Sequence, residues 1–454
     1  MRPIAILSRS LSMGKIRLVH QAALTALISA VAGAALAQTG STEIPPTAAR
    51  QFPAMGPTRE LKLAENTWFR FGFQVQAWVK AAQDRIMQPD GSDGSFAVDM
   101  YCRRCRIFAT GSIVKDVTFN LLLEAGNLGK GNVATGDKGF GGPAPVVSLL
   151  DAYGMIKFAD PFFLSAGSIL MPLTRNGLQP TTTYLSIDVG NVSTTAVGQG
   201  NSNVLRDLGV QASGYFLEDH LEYRLGVWQG SRAAATPTQS ASHNPPRVIA
   251  MMAYNFWDTE KGYVNGGHYY GTKKVLGIMG NFDYQTFRKV DPPIGGVAGG
   301  VGKNPYFGGS AAVFINYPLS GRGDPKGGDE IVALAQFGYY DGGVDPTPGS
   351  TNQPTYPAIL RQADFLYEAA YYNKDLKLSF FGKFELRKIN AIYSTAVRAA
   401  GNQMWIAGGL KYYVAPANLC NIGLQYERVQ FPDALPTQQA GTHNVTLQFQ
   451  FLLY

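Results

Sequence analysis

Long hydrophobic runs are missing from this chain beyond its first 37 residues. No later segment has 18 consecutive apolar residues, so none of it can cross a bilayer as a helix. Cysteine is scarce: Cys102, Cys105 and Cys420 are the only three. An exported chain with three thiols is not a disulfide scaffold. The five histidines are scattered, which gives no zinc-site spacing, so no metal is expected. An excess of one charge is missing as well. The 39 Lys+Arg exceed the 32 Asp+Glu, but Arg2, Arg9, Lys15 and Arg17 fall in the first 37 residues, which hold no acid. The remainder carries 35 minus 32, or +3, with no basic block. That excludes a nucleic-acid footprint. Linkers and shifts of composition are absent too, so residues after 37 read as one unit.

What is present begins with residues 1–37, which read as a secretory signal. A basic n-region leads into the small and apolar stretch Ala22 to Ala37, and Ala35-Leu36-Ala37 fits a cleavage site. Met13 is a second candidate start. Residues 38–65 read as a periplasmic N-terminal segment. The Cys102-x-x-Cys105 pair fits a local disulfide, a metal half-site or haem attachment. Haem attachment needs His after the second Cys, and Arg106 stands there. Two strand-end thiols, bonded or not, remain.

From residue 66 to 454 the chain alternates with a period of two. Near its end, Val445, Leu447, Phe449 and Phe451 share one face, opposite Thr446, Gln448 and Gln450. Phe69, Phe71, Phe73 and Val75 likewise oppose Arg70, Gln74 and Gln76. Sixteen such strands are expected, near 66–81, 103–113, 116–126, 148–158, 161–170, 206–217, 220–230, 247–257, 272–288, 308–317, 330–341, 362–373, 376–389, 402–413, 418–430 and 441–454. Most exceed the five or six residues usual in globular sheets and suit a tilted crossing of a bilayer.

The links sort by length. Even-to-odd links are tight: 114–116, 159–160, 218–219, 373–375 and 414–417. Odd-to-even links are long and rich in Gly, Pro, Ser, Thr and Asn. Two even-to-odd links, 258–271 and 318–329, break the rule. Short turns on one side and long loops on the other mark a transmembrane antiparallel β-barrel, lipid outside and water inside. Backbone polar groups in hydrocarbon must all be bonded, so the last strand is expected to pair with the first. Charged residues in mid-strand fit only a face that meets water, because a Lys or Arg facing lipid at the midplane costs roughly 2–4 kcal/mol. Three strands alternate poorly. Ala250-Met251-Met252 and Val332-Ala333-Leu334 are apolar on both faces, so their inner faces are expected to pack on a plug, a folded-in loop or a neighbouring subunit. Tyr412-Tyr413, Tyr371-Tyr372, Tyr339-Tyr340, Phe216 and Trp257 sit where an interfacial belt would lie.

Several local stretches resemble the phosphate-selective porin O/P family of bacterial outer-membrane channels. Arg103-Arg104-Cys105-Arg106-Ile107 is similar to its arginine-rich second strand. Leu150-Asp151-Ala152-Tyr153-Gly154 is similar to its Asp-Ala-Tyr strand. Phe162-Phe163-Leu164-Ser165-Ala166-Gly167 with Met171-Pro172-Leu173 resembles its lead into a long third loop. Arg206-Asp207-Leu208-Gly209-Val210-Gln211 and Leu221 to Gly230 resemble the next two strands. The resemblance implies a 16-stranded homotrimer in the outer membrane, with 171–205 folded inward as a constriction. That stretch holds Arg175 as its only base and Asp188 as its only acid, which departs from the clustered Arg and Lys of phosphate-selecting members.

The expected role is passive diffusion of small hydrophilic solutes, weakly favouring anions, with no cofactor and no catalysis. The alternation assigns Arg70, Lys80, Arg104, Arg106, Arg224, Lys377, Lys383, Arg387 and Lys411 to the inner basic set, and the constriction loop adds Arg175. Glu124, Asp151, Asp207, Glu222, Asp283, Glu368 and Glu385 form the inner acidic set. Partners would be outer-membrane lipid and the barrel-assembly machinery, reached through the strand ending at Tyr454. Tyr454 is out of phase with Phe449 and Phe451, so a slip or bulge is expected near Leu452 if Tyr454 joins the outer face. Three other readings compete. A barrel lipase or protease would draw on His220, His243, His268 or His443, none in a nucleophile motif. A soluble exported β-sandwich binding module would need polar outer faces. A barrel sleeve of a larger export or redox conduit would cover its apolar inner faces with a partner.

Overall fold

The computed structural model describes residues 60–130, 147–198, 205–230, 245–290, 301–324, 326–342, 359–415 and 418–453. The expected signal, most of 38–65, the tail of the 171–205 loop, His243 and Tyr454 lie outside them.

Alternation decides the architecture. Most strands have an oily face and a polar face, and the described strands meet no partner sheet, so they close on themselves. β1 (Glu60–Ala64) is a short hairpin arm on β2 (Thr67–Gln83). The chain then runs through β3 (Phe96–Val114), β4 (Val117–Leu128), β5 (Val147–Ala159), β6 (Phe162–Leu170), β7 (Arg206–Phe216), β8 (Leu221–Trp228) and β9 (Arg247–Asn255). The second half holds β10 (Val275–Val290), β11 (Val301–Pro318), β12 (Glu330–Asp341), β13 (Gln362–Asn373), β14 (Leu378–Ile389), β15 (Gln403–Ala415), β16 (Cys420–Gln430) and β17 (Gly441–Leu453). Each of β2 to β17 pairs antiparallel with its chain neighbour, and β17 returns to β2 with Phe449 opposite Ala77. The result is a closed antiparallel barrel of sixteen strands, with no edge to leave unbonded.

The outer face is apolar. Phe71, Phe73, Ile107, Val210, Val313 and Phe337 are exposed, while their neighbours Arg70, Gln74, Arg106, Gln211, Phe314 and Gln336 are buried. Phe216, Phe256, Tyr317, Tyr371 and Tyr412 ring the short-turn rim on that outer face. Residues with left-handed backbone sit at the tight turns, including Asp116, Leu217 to Asp219, Lys377 and Asn418. One α-helix, α1 (Thr395–Gly401), stands in a long link, and Ser394 caps it by accepting from the Val397 N–H.

Three expectations need correction. The second barrel strand begins at Phe96, not 103, because Phe96, Val98 and Met100 extend its outward apolar face. Lys377 lies in the turn before β14, exposed and with φ 54°, so it does not join the inner face. The β17 ladder runs unbroken through Phe451↔Val75, Leu452↔Gln74 and Leu453↔Phe73, with no slip at Leu452. Leu452 is instead a buried apolar residue on the inner face.

Candidate functional site: a bore crossed by two segments

Residues 171–198 leave β6 and turn into the barrel. Their apolar side chains, among them Leu173, Leu178, Leu185 and Ile187, are buried in one cluster with Met251, Phe314, Val332, Leu334 and Leu366. The apolar inner faces of β9 and β12 are therefore covered by the chain's own loop. Burying an aliphatic side chain of this size is worth about 1.5–3 kcal/mol, so the seating is strong. Polar anchors fix its register. Asn176 accepts from the Gly190 N–H and donates to Glu368 (3.1 Å). The Ser186 hydroxyl donates to Glu368 (2.5 Å), the Val192 N–H to Glu385 (3.0 Å), and the Lys411 ammonium to the Ser186 carbonyl (2.7 Å).

The same loop reaches the opposite wall. The Gln74 amide and the Arg106 guanidinium donate to the Thr181 hydroxyl at 3.0 and 2.9 Å. Asp188 accepts from both Arg103 (3.0 Å) and Arg104 (2.5 Å). Strict alternation would point one of these adjacent arginines at lipid. A β-bulge prevents that: Gln76 opposes Arg104 while Ala77 opposes Cys102, which leaves Arg103 as the extra residue. The bulge re-aims Arg103 to the inner side. Burial pushes the Asp188 carboxyl up, but Arg103 and Arg104 outweigh it and hold the group well below the usual carboxylate range. Cys102 and Cys105, which flank these arginines, are not bonded to each other.

A second segment enters from the short-turn side. Residues 256–274, between β9 and β10, fold inward, and Glu260, Val264, Asn265, His268 and Tyr269 are buried. Glu260 takes Arg175 of the loop at 2.7 Å. The Asn265 N–H donates to the Leu178 carbonyl (3.0 Å) and the Gly267 N–H to the Thr183 hydroxyl (3.1 Å). His268 meets Glu330 at 2.8 Å. Gly267 has no alternative: a Cβ there would lie 2.0 Å from the Thr183 carbonyl oxygen. The expected irregular link 258–271 is thus an inserted element that locks onto the loop.

Space remains beside β2–β7. A cavity of about 110 Å³ lies between that wall and the loop tip, 177–184, with Tyr263 and Val264 of the second segment closing one side. Trp68, Phe108, Tyr153, Tyr184, Arg106 and Arg206 line it. Gly72 makes room, since a Cβ there would strike the Phe108 ring at 2.3 Å. Tyr153 and Tyr263 stack at 4.8 Å. Arg106 pairs with Glu124, and Arg206 with Asp151 at 3.0 Å.

The sequence-derived set is thereby sorted. Arg70, Arg104, Arg106, Glu124 and Asp151 are buried on the β2–β5 wall, and Lys80 is half-buried towards the long-loop rim. Asp207 accepts from the Gly230 N–H (2.6 Å). Arg175, Arg224, Glu222, Lys383, Glu385, Glu368, Arg387 and Lys411 face the inserted segments or one another: Arg224 bonds Glu222 and the Tyr263 carbonyl, Lys383 bonds Glu385 at 2.9 Å, and Arg387 bonds the Asn191 carbonyl. Asp283 pairs with Arg247, a residue the alternation did not single out because it opens β9 next to a loop. Arg206, Glu260 and Glu330 were also missed. Arg206 opens a strand, and Glu260 lies in a link that reads as loop. No group of three or more His, Cys, Asp or Glu among the described residues could hold a metal ion.

No family model and no curated protein matches the chain. Solved outer-membrane proteins share its fold. Pseudomonas putida OprB superposes with a TM-score of 0.56 at 9% identity, covering 85% of this chain and 94% of that one. The anion-selective porin from Comamonas acidovorans gives 0.50 at 11%, covering 85% and 100%. The outer-membrane channel DcaP of Acinetobacter baumannii gives 0.50 at 11%, covering 87% and 99%. At such identities the likeness is one of fold.

Proposed function

We propose that this chain is a bacterial outer-membrane porin that lets small hydrophilic solutes diffuse passively, weakly favouring anions. One observation carries the reading: a closed barrel, oily outside and ionised inside, is crossed by an inward loop that leaves a cavity lined by aromatic, polar and charged side chains against one wall. Such a wall needs no catalysis to work, because it replaces hydrocarbon with a water path and sets the field along it. Loop 171–205 sets the narrowest point. Arg106 and Arg206 line the cavity against Asp151, a surplus of one positive charge among the lining side chains, with Glu124 behind Arg106. That surplus supports anion preference, phosphate among other anions.

Planar-bilayer recording tests it. Purified protein should give discrete current steps in KCl, with a reversal potential on the anion side under a salt gradient. Replacing both Arg104 and Arg106 by Gln should shift that potential towards cations. Absence of steps would refute the reading, and an unmoved potential would refute the anion preference. Homotrimer assembly follows from the family likeness alone, and native mass measurement in detergent tests it.

A further inference from the structure

We propose that the cavity beside β2–β7 is a binding site for aromatic carboxylates in transit. The proposal deepens the porin reading and rests on it. Two observations on the cavity wall support it. The first is the concentration of rings: Trp68, Phe108, Tyr153, Tyr184 and Tyr263 all face one small space. With Phe119 the lining holds six aromatic side chains, for which a path for hydrated inorganic ions has no use, since a stripped ion gains little from an apolar face. A flat ring gains from each, because aromatic pairs add to area burial when offset or edge-on. The Tyr153–Tyr263 stack, at 4.8 Å with an interplanar angle of 30°, forms one wall of that space. The volume, about 110 Å³, is below the roughly 150 Å³ of an engineered cavity that admits benzene, so a ring could enter only with its carboxylate left outside the enclosed space.

The second observation is the charge. Arg106 and Arg206 line the same space as the rings, and Arg70 lies over the Trp68 ring with its Cζ 5.3 Å from the centroid. A guanidinium fork suits a planar carboxylate. Each of Arg106 and Arg206 is also held by a wall carboxylate, Arg106 by Glu124 and Arg206 by Asp151, so a ligand carboxylate would share these guanidinium groups with the wall. A ligand with one flat apolar end and one carboxylate end matches both halves of the lining. Phosphate matches only one, and acetate lacks the ring. Binding must stay weak for passage to continue.

Benzoate is the probe. In bilayers carrying the full-length protein, benzoate should reduce the chloride current saturably, half-blocking at roughly millimolar concentration. Equal acetate or phosphate should block far less. Phe108→Ala removes a ring, and the double variant Asp151→Asn with Arg206→Gln removes the charges while keeping shape. Each should raise the half-blocking concentration about fivefold, read against that variant's own KCl current. The proposal falls if benzoate blocks no better than acetate in the wild-type channel, or if both variants leave the block unchanged. A wild-type protein with no KCl steps, read before any benzoate is added, would sink the porin reading itself.

Discussion

The arc β2–β7 and the arc β8–β15 are built from the same alternation, yet their inner faces do opposite things. On β2–β7 the inner side chains include Arg, Gln, Thr, acidic and aromatic residues beside a few aliphatic ones, and a cavity lies against them. On β9 and β12 the inner side chains include Ile249, Met251, Val332 and Leu334, each at most 1% exposed, and the loop 171–198 is packed on them. The charges of the second arc, Glu368, Glu385, Lys383 and Lys411, are taken up by the loop's amides, hydroxyls and carbonyls or by each other. An inward charge is therefore not a pore charge. It becomes one only where the wall is polar enough for the loop to leave it.

The contrast can be broken from the closed side. Leu334→Ala deletes a fully buried contact of the loop's seat and should cost about 2–5 kcal/mol of barrel stability, read by denaturant unfolding on gels. Thr110→Ala on the open arc loses only the hydroxyl's bond to the Phe119 carbonyl and should cost about 0.5–1.5 kcal/mol. Next in size, Asp188→Ala removes the acceptor of two arginines and should cost about 1.5–3 kcal/mol. It should also make the current steps noisier, since the tie between the loop and β3 is cut. Gly267→Ala forces a Cβ into the Thr183 carbonyl and should cost about 1–3 kcal/mol. Its conductance should rise as the two inserted segments part.

The smallest expected effect sharpens the comparison. The folded-state pKa of Asp188 is depressed. Its stabilising tie to Arg103 and Arg104 is thus fully present above the unfolded carboxylate value and is lost only as pH falls through the lower folded value. Conductance noise should be unchanged between pH 8 and pH 4. A step near the ordinary carboxylate range that disappears in Asp188→Asn would show that the arginines do not hold the group.

The barrel was legible because its cause is local. A period of two with Phe71 and Phe73 opposite Arg70 and Gln74 admits few folds, and the sorting of short and long links narrows them further. The sixteen strand positions follow from that, to within a few residues at most ends. The poor alternation of Ala250 to Met252 and Val332 to Leu334 marked an inner face that packs on something, though not on what. Three features were hidden. The bulge at Arg103 depends on cross-strand register, which a single strand does not reveal. The insertion of 256–274 depends on Glu260 finding Arg175 and Gly267 finding Thr183, contacts far apart in sequence. What an inward charge meets depends on where the loop lies: Lys411 and Arg106 both bond the loop, but only Arg106 also lines the cavity.

Thiol accessibility tests the account most directly. In a background with Cys102, Cys105 and Cys420 replaced by Ser, single substitutions Thr110→Cys and Asn120→Cys on the open arc are compared with Val332→Cys and Ala370→Cys on the closed arc. Folded protein in detergent is treated with a charged, water-soluble thiol reagent. The account predicts fast labelling at 110 and 120 and slow labelling at 332 and 370. Equal rates on the two arcs, or faster labelling at 332 and 370, would contradict it.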